Sequence, residues 1–156
     1  MFTHHNRSSA AEDYRDDMIC LAIETLLAYE EDGSFDDESL VIVCNALHDI
    51  RVRDVLVLEL LSLPRPRLLN AYDCLDAAVR LTPCKFQAPA LTLMGIIAWA
   101  SGAPQHAHNL SAYALHHDQD YSLAKLLYLA TGHALPFDSF RDSMLADVSY
   151  EAARGI

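Results

Sequence analysis

The segment 93–127 constrains the fold of this 156-residue chain more than any other part of it. Small and large apolar residues recur there at the spacing of a helix-turn-helix unit of about 34 residues. Gly102 lies between the two predicted helices, where a glycine allows the left-handed turn that reverses the chain. Gly95 and Ala107 are small enough to let the two helices approach each other closely. These features predict a pair of antiparallel helices within residues 90–131.

Helical periodicity also dominates the rest of the chain. The predicted fold class is therefore all-α, an antiparallel bundle of about seven or eight helices. Ser8 and Ser9 are candidate caps for the first predicted helix, which runs from about Ala10 to Glu31 and ends at Gly33. Ser34 and Asp36 are candidate caps for the second helix.

Two of the predicted helices, which begin near Leu40 and Arg51, are rich in β-branched residues and could instead be strands. Cap residues before each of them, including Asp49, favour helices. Residues 90–101 are apolar on nearly all sides, and we predict that they form the most buried helix.

The chain is expected to form a single helical domain over residues 10–150, with a flexible tail at residues 1–9 and a fraying C-terminus at residues 151–156. Its apolar content of 52% is too high for a disordered chain. No apolar run reaches the roughly 18 residues that span a bilayer, and the N-terminus lacks the apolar core of a signal peptide. We therefore expect a cytoplasmic protein that does not bind membranes.

The four cysteines form no C-x-x-C motif, and each lies in an apolar or helical stretch. Because nothing in the sequence signals export, we expect all four to be reduced and buried. They are Cys20, Cys44, Cys74 and Cys84.

Charge is distributed unevenly along the chain, whose formal net charge is −11. Residues 10–39 contain 11 acidic side chains and a single base, Arg15. This acidity argues against nucleic-acid binding, since phosphates would be repelled. The acidic segment can form a solvated surface, pair with a later arginine cluster within the fold, or bind a basic partner. That cluster comprises Arg51, Arg53, Arg65 and Arg67.

Three residues are candidates for binding. Arg53 lies beside an apolar run, where a charge usually needs a partner, so it either forms a structural ion pair or binds a ligand. Trp99, the only tryptophan, is either a core residue or an exposed anchor for a partner or a second subunit. Tyr121, which begins the next apolar helix, is the third candidate.

Histidine is the residue type in this chain that is best suited to chemistry. One predicted helix contains His106, His108, His116 and His117. His106 and His108 are two residues apart, so they should point to different faces of that helix. Metal-binding pairs on helices prefer a spacing of four residues, and the sequence contains no H-E-x-x-H motif. We therefore predict no metal site, no cofactor and no catalytic residue.

The segment 93–127 also resembles a tetratricopeptide repeat, in which small residues at fixed positions let paired helices pack closely. Gly95, Ala107 and Ala114 carry this resemblance. The chain departs from the pattern where an aromatic residue or proline is usual, at Ala98, Ser111 and Gln119. Only one repeat and the start of another are visible, which favours a compact helical domain over a long array.

A closer resemblance rests on three segments of the sequence: R-V-R-D from Arg51, A-P-A-L-T-L-M-G-I-I-A-W-A-S-G, and D-x-D-Y-S-L-A-K-L-L. Over residues 40–136 the chain resembles the C-terminal half of an actinobacterial family, the domain of unknown function 4192. The family's N-terminal half, which reads as strands, is expected to be absent here, with the acidic helix in its place. The resemblance implies a helical, bacterial, cytoplasmic protein, and it supplies no activity and no catalytic residues.

The sequence as a whole favours a non-enzymatic module for protein interaction or self-association, which would bind through a helical groove. One alternative is a small metal-dependent or hydrolase-like enzyme that uses the histidines of residues 106–117 with nearby acids. A second alternative is an acidic module that binds a basic partner.

Overall fold

The computed structural model describes the backbone of residues 3–32 and 36–153, with side-chain environments for residues 10–26, 36–144 and 146. Within these ranges the chain forms eight α-helices, a short 3-10 helix at Cys84–Phe86 and no strand, which confirms the all-α prediction. The helices are α1 (Thr3–Asp32), α2 (Asp37–Ala46), α3 (Ile50–Leu61), α4 (Arg65–Arg80), α5 (Ala88–Ala100), α6 (Pro104–His117), α7 (Ser122–Gly132) and α8 (Phe137–Ala153). The predicted helix stop at Gly33 and cap at Ser34 lie outside the described residues.

Helix α1 begins at Thr3 rather than near Ala10, so residues 3–9, expected to be a flexible tail, are helical. Ser8 and Ser9 lie inside the helix instead of capping it. Serine in a helix interior costs only about 0.5 kcal/mol relative to alanine, and extending an existing helix is much easier than starting a new one. At the other end, α8 continues to Ala153, into the segment that was expected to fray.

Side-chain caps explain why α2 and α3 are helices rather than strands. Asp36 accepts a hydrogen bond of 2.9 Å from the backbone N–H of Ser39, and Asp49 accepts one of 2.9 Å from the N–H of Arg51. Each cap satisfies a backbone donor that has no partner within its helix. These local hydrogen bonds outweigh the modest helix penalty of the β-branched residues.

Arg15 joins the acidic surface of α1 to the residue that caps α3. The Nε of Arg15 donates to Oδ2 of Asp49 at 3.0 Å. Partial burial acts to raise the pKa of Asp49, but the hydrogen bonds from Arg15 and from the backbone N–H groups of Val52 and Arg51 outweigh it, so the pKa lies below its usual value. The acidic side chains of residues 12–24 are exposed, as expected of a solvated surface.

Helix α5 forms the centre of the bundle, as its apolar sequence predicts. Every residue from Ala88 to Trp99 is buried, because α3, α4, α6 and α7 all pack against this helix. Helix α1 packs on α2, α3 and α4, whereas α7 packs on α5 and α6. The chain therefore has two halves that share α5 as a common wall.

The close approach predicted at Gly95 is present. A Cβ added to this glycine would lie 2.7 Å from Cδ2 of Leu127 and 3.4 Å from the carbonyl oxygen of Ala107. Gly102 ends α5 with a φ of 91°, the left-handed conformation that the reversal of the chain requires. The absent side chain at Gly95 thus allows α6 and α7 to pack directly against the α5 backbone.

The prediction that all four cysteines are buried is wrong for two of them. Cys44 and Cys74 are buried, but Cys20 and Cys84 are exposed, and all four are free thiols. Cys20 lies on the solvent side of α1, and Cys84 lies in the 3-10 helix that links the two halves. Burial raises the pKa of the Cys44 thiol. Burial also raises the pKa of the Cys74 thiol to about 12, and the nearby Cys44 contributes to this rise.

The exposure of two thiols and the burial of the other two predict two classes of thiol reactivity. Because Cys20 and Cys84 are exposed, a disulfide-forming reagent at about pH 8 should label both of them rapidly in the folded protein. Cys44 and Cys74 should react only at the rate of unfolding. The thiolate is the nucleophile, and burial keeps both of these groups protonated as thiols by raising their pKa. The double variant Cys20→Ser, Cys84→Ser should show almost no rapid labelling. Rapid labelling of that variant without loss of the fold would contradict the burial of the other two.

Candidate functional site

Arg53 and Tyr121, which were singled out separately in the sequence, are in direct contact. Nη1 of Arg53 donates a hydrogen bond of 3.1 Å to the hydroxyl oxygen of Tyr121. Its Nε and Nη2 donate to Oδ1 of Asp54 at 2.9 and 2.7 Å. The guanidinium carbon also lies 5.7 Å from the centre of the Tyr121 ring, within the range of a cation–π interaction.

The electrostatics of this cluster favour a structural role for Arg53. Burial acts to lower its pKa, but Tyr121 and Asp54 outweigh burial and raise the pKa above its ordinary value. Burial raises the pKa of Tyr121 despite the opposing effect of Arg53, and the carboxylates of Asp54 and Asp118 add to the rise. At neutral pH a charged guanidinium therefore binds a neutral phenol. Three of the five guanidinium N–H groups have partners within the chain.

This contact joins α3 to the turn between α6 and α7, and a double-mutant cycle measures its strength. Arg53→Met and Tyr121→Phe each retain most of the side-chain volume and should each lower the free energy of unfolding by about 1–2 kcal/mol. Because either substitution removes the same hydrogen bond, the double variant should lose about 1 kcal/mol less than the sum of the singles. Urea denaturation followed by circular dichroism gives all four values. Strictly additive losses would mean that the two side chains do not interact.

Trp99, the remaining candidate, lies in the core. Its side chain is only 5% exposed, and its ring centroid lies 5.3 Å from that of Phe137 and 5.4 Å from that of Phe140. The first turn of α8 thus covers the tryptophan, which leaves no exposed anchor at this position.

The histidines of α6 point to different helices, as their spacing predicts. Nε2 of His106 lies 2.6 Å from the hydroxyl of Tyr72 on α4. On the opposite side of the helix, Nδ1 of His108 lies 2.9 Å from Oγ1 of Thr131 on α7. His108 also stacks on Tyr128, with 4.3 Å between the ring centroids. Both rings therefore link α6 to a neighbouring helix.

His116 and His117 lie together at the C-terminal end of α6, with their ring centroids 5.6 Å apart. Imidazole groups suit this position, because the end of a helix carries a partial negative charge. In the part of the chain that the structure describes, no group of three or more histidine, cysteine, aspartate or glutamate side chains is arranged to hold a metal ion.

A cleft of about 480 Å³ lies between the α5–α6 turn and the connection from α7 to α8. This volume falls in the range of small ligand-binding clefts. Its lining is mostly apolar and includes Trp99, Pro104, Gln105, Leu135, Pro136 and Phe137. The cleft can accept a small apolar group, such as a single side chain of another protein.

The two chain segments that form this cleft have the same backbone design. Helix α5 ends with Gly102 in the left-handed region, and α7 ends with Ala134 there, at a φ of 54°. In each case this residue is the second after the end of the helix, and a proline lies two positions further on: Pro104 is the first residue of α6, and Pro136 immediately precedes α8. Ala134 is unusual because a side chain makes this conformation unfavourable by about 1–2 kcal/mol. Alanine does not indicate a left-handed turn in a sequence. The turn at Ala134, and with it the cleft that it lines, could therefore not be predicted from the sequence.

The side of α7 that faces away from α5 and α6 carries two exposed leucines. Leu126 and Leu129, one helical turn apart, are 52% and 56% exposed. We use the name α7 outer face for the exposed residues Ser122, Lys125, Leu126, Leu129 and His133. The stretch 121–137 contains no aspartate or glutamate, although the chain has 22 of them. This local absence of acids, together with apolar residues on both sides of one helix, was the sequence signal that could have found the surface.

None of the helices in the described ranges combines the length and the apolar character needed to cross a membrane. The fold places the chain among the all-α helical-bundle proteins. A family model described as Domain of unknown function (DUF4192) matches residues 2–137, and the chain belongs to this family. No curated protein matches the chain, and no solved structure does.

The family match changes the interpretation of the acidic helix. The residue motifs alone support the resemblance only over residues 40–136, which leaves α1 outside it. The matched segment begins at residue 2 and therefore includes α1. Because α1 carries no short motif, its place in the family could not be recognised from residue patterns alone.

Proposed function

We propose that this protein is a non-enzymatic interaction module that binds a helix of a protein partner on the α7 outer face. The observation that carries the proposal is the exposed pair Leu126 and Leu129 in a stretch without acidic residues. Single exposed leucines are common on protein surfaces. Two leucines one turn apart, in a stretch 121–137 without acidic residues within a strongly acidic chain, form a short apolar strip.

Such a strip suits recognition of an amphipathic helix, whose apolar residues recur every three or four positions. The neighbouring cleft strengthens the proposal. Leu135, which lines the cleft, lies three residues after the end of α7 and is itself exposed. A helix lying along α7 could therefore place one apolar side chain in the cleft as a buried anchor.

The packing of α7 supports a repeat-like arrangement, as proposed from the resemblance to a tetratricopeptide repeat. Helix α7 packs on both α5 and α6, as the first helix of a following repeat packs on the preceding pair. In a longer array, the next helix pair would cover the outer side of α7. We propose that a partner's helix takes that position here.

Affinity capture with matched variants tests this proposal. Wild-type protein, Leu129→Glu and the control Leu69→Glu are each used to capture proteins from a bacterial lysate, with quantitative mass spectrometry of the eluates. Leu69 lies on α4 and is 45% exposed, so its substitution adds the same charge on a different surface. A specific partner should bind wild type and Leu69→Glu and be at least about tenfold depleted with Leu129→Glu, or about twofold depleted if it is a second copy of this chain, which can still bind the variant with its own α7 outer face. Equal recovery by all three proteins, or recovery of no partner by wild type, would refute the proposal.

We also propose that the protein acts in the cytoplasm. The support is the set of free cysteines, of which Cys20 and Cys84 are exposed, because exposed thiols persist in reducing compartments. Fractionation of cells by compartment, followed by immunodetection, tests this location. Recovery in an extracytoplasmic fraction would overturn it.

A further inference from the structure

We propose that the partner of the α7 outer face is α1 of a second copy of this chain, so that molecules associate head to tail. This inference rests on the proposed function and names its partner. It accounts for two apolar helix faces that are exposed on one chain, and for the uneven distribution of charge along the sequence.

Helix α1 has an exposed face of its own. Tyr14 and Leu21 are 63% and 40% exposed. They are seven residues apart, which places them on the same side of a helix after about two turns. Exposed Asp13, Asp17 and Glu24 flank them. We call these five residues the α1 outer face. Like the α7 outer face, it presents two apolar side chains in line along the helix axis.

The charges of the two faces are opposite. The α1 outer face carries three carboxylates, while the five residues of the α7 outer face include the cation Lys125 and no acid. Pairing two α1 faces would bring carboxylates together, and pairing two α7 faces would bring lysines together. Both arrangements are repulsive. Pairing of α1 with α7 places a cation against carboxylates, and it is the combination that charge favours.

Lys125 is available for such a contact. Its Nζ lies 3.8 Å from Oδ1 of Asp120 in the same chain. Both side chains are largely exposed, and an ion pair of this kind contributes little to stability. Lys125 can therefore exchange Asp120 for a carboxylate of a second copy with little loss of free energy. The same contact buries the apolar side chains of both faces.

The positions of the two faces allow one chain to use both of them. Helix α1 packs on α2, α3 and α4, and α7 packs on α5 and α6, so the faces belong to different halves of the molecule. Contact between two different faces is heterologous, and it produces a ring if the rotation closes or an open chain of molecules if it does not.

The experiment uses sedimentation velocity on the full chain from about 1 µM to about 1 mM. Wild type and the control Leu69→Glu should associate as concentration rises. Because the contact depends on charge, the association constant should fall on the order of tenfold between about 0.05 M and about 0.5 M NaCl. Leu21→Glu lacks an intact α1 face and Leu129→Glu lacks an intact α7 face, so each alone should remain monomeric. Circular dichroism confirms that both variants keep the helical content of wild type.

A mixture of the two variants gives the decisive result. Leu21→Glu still offers its α7 face and Leu129→Glu still offers its α1 face, so an equimolar mixture should form a 1:1 dimer and nothing larger. Self-association of Leu21→Glu alone would indicate pairing between two α7 faces and would overturn the proposal. A monomeric wild type, or a mixture that stays monomeric, would also overturn it. In those cases the proposed function is judged separately, since capture of another partner by Leu21→Glu but not by Leu129→Glu would still support it.

Discussion

Replacement of Trp99 by alanine should lower the free energy of unfolding by about 3–5 kcal/mol, the range for truncating a large aromatic side chain in a packed core. Trp99 is covered by Phe137 and Phe140 of α8. The substitution therefore leaves a cavity and also removes the surface on which the first turn of α8 rests. Urea denaturation followed by circular dichroism measures the loss.

Two comparisons make this result specific. Trp99→Phe keeps an aromatic ring against α8 and should lose much less stability, about 1–2 kcal/mol. Tyr113→Ala, at an exposed aromatic residue of α6, should change stability by no more than about 0.5 kcal/mol. Because Trp99 is the only tryptophan, its fluorescence emission in the wild type reports its environment directly. Emission typical of a water-exposed indole, or a small effect of Trp99→Ala, would mean that α8 does not cover it.

Gly95→Val should destabilise the protein by about 3 kcal/mol, at the upper end of the usual range for overpacking a core. Even a single Cβ at this position would lie 2.7 Å from Cδ2 of Leu127, and valine adds two further methyl groups. Gly95→Ala should be much milder. Its Cβ meets the movable end of a leucine side chain, and alanine gains about 1 kcal/mol in helix propensity over glycine. Thermal or urea denaturation of the two variants shows which of them is the more stable.

A compensating substitution identifies the clash. Leu127→Ala removes the atom nearest to the added side chain, although it also costs about 2–5 kcal/mol through the cavity that it creates. In the Gly95→Val background part of that cavity is filled. The double variant should therefore be at least about 1 kcal/mol more stable than the sum of the two single losses predicts. Additive losses would place the added valine against some other part of the structure.

The pairing of α5 with α6 could be predicted from sequence because its determinants are local. Gly95, Ala107 and Gly102 act within one helix-turn-helix unit, and the helical period shows which residues face each other. The caps Asp36 and Asp49 are equally local, since each side chain binds a backbone group two or three residues away. The expected helix start near Ala10 was wrong because a serine that can cap a helix can also lie inside one.

The candidate site was harder to predict because it depends on contacts between distant residues. Arg53 and Tyr121 were each noticed, but 68 positions separate them in the chain, and no periodicity brings them together. Leu126 and Leu129 belong to the α7 outer face because α5 and α6 pack on the other side of α7 and leave both side chains exposed. Such a surface becomes visible only when the positions of α5 and α6 are known. Trp99 is the opposite case: as the only tryptophan it was a candidate binding residue, but its side chain is buried.

The burial of α5 on every side has a consequence for how this chain can be divided. The helix forms part of the core for α3 and α4 on one side and for α6 and α7 on the other. A break in the linker at residues 82–87 would leave the first fragment with an uncovered hydrophobic wall and the second with α5 exposed along one flank. Neither fragment could bury its apolar surface alone. Insertions, gene fusions and fragment boundaries are therefore best placed outside α1–α7, because the family match spans these helices and their shared core depends on α5.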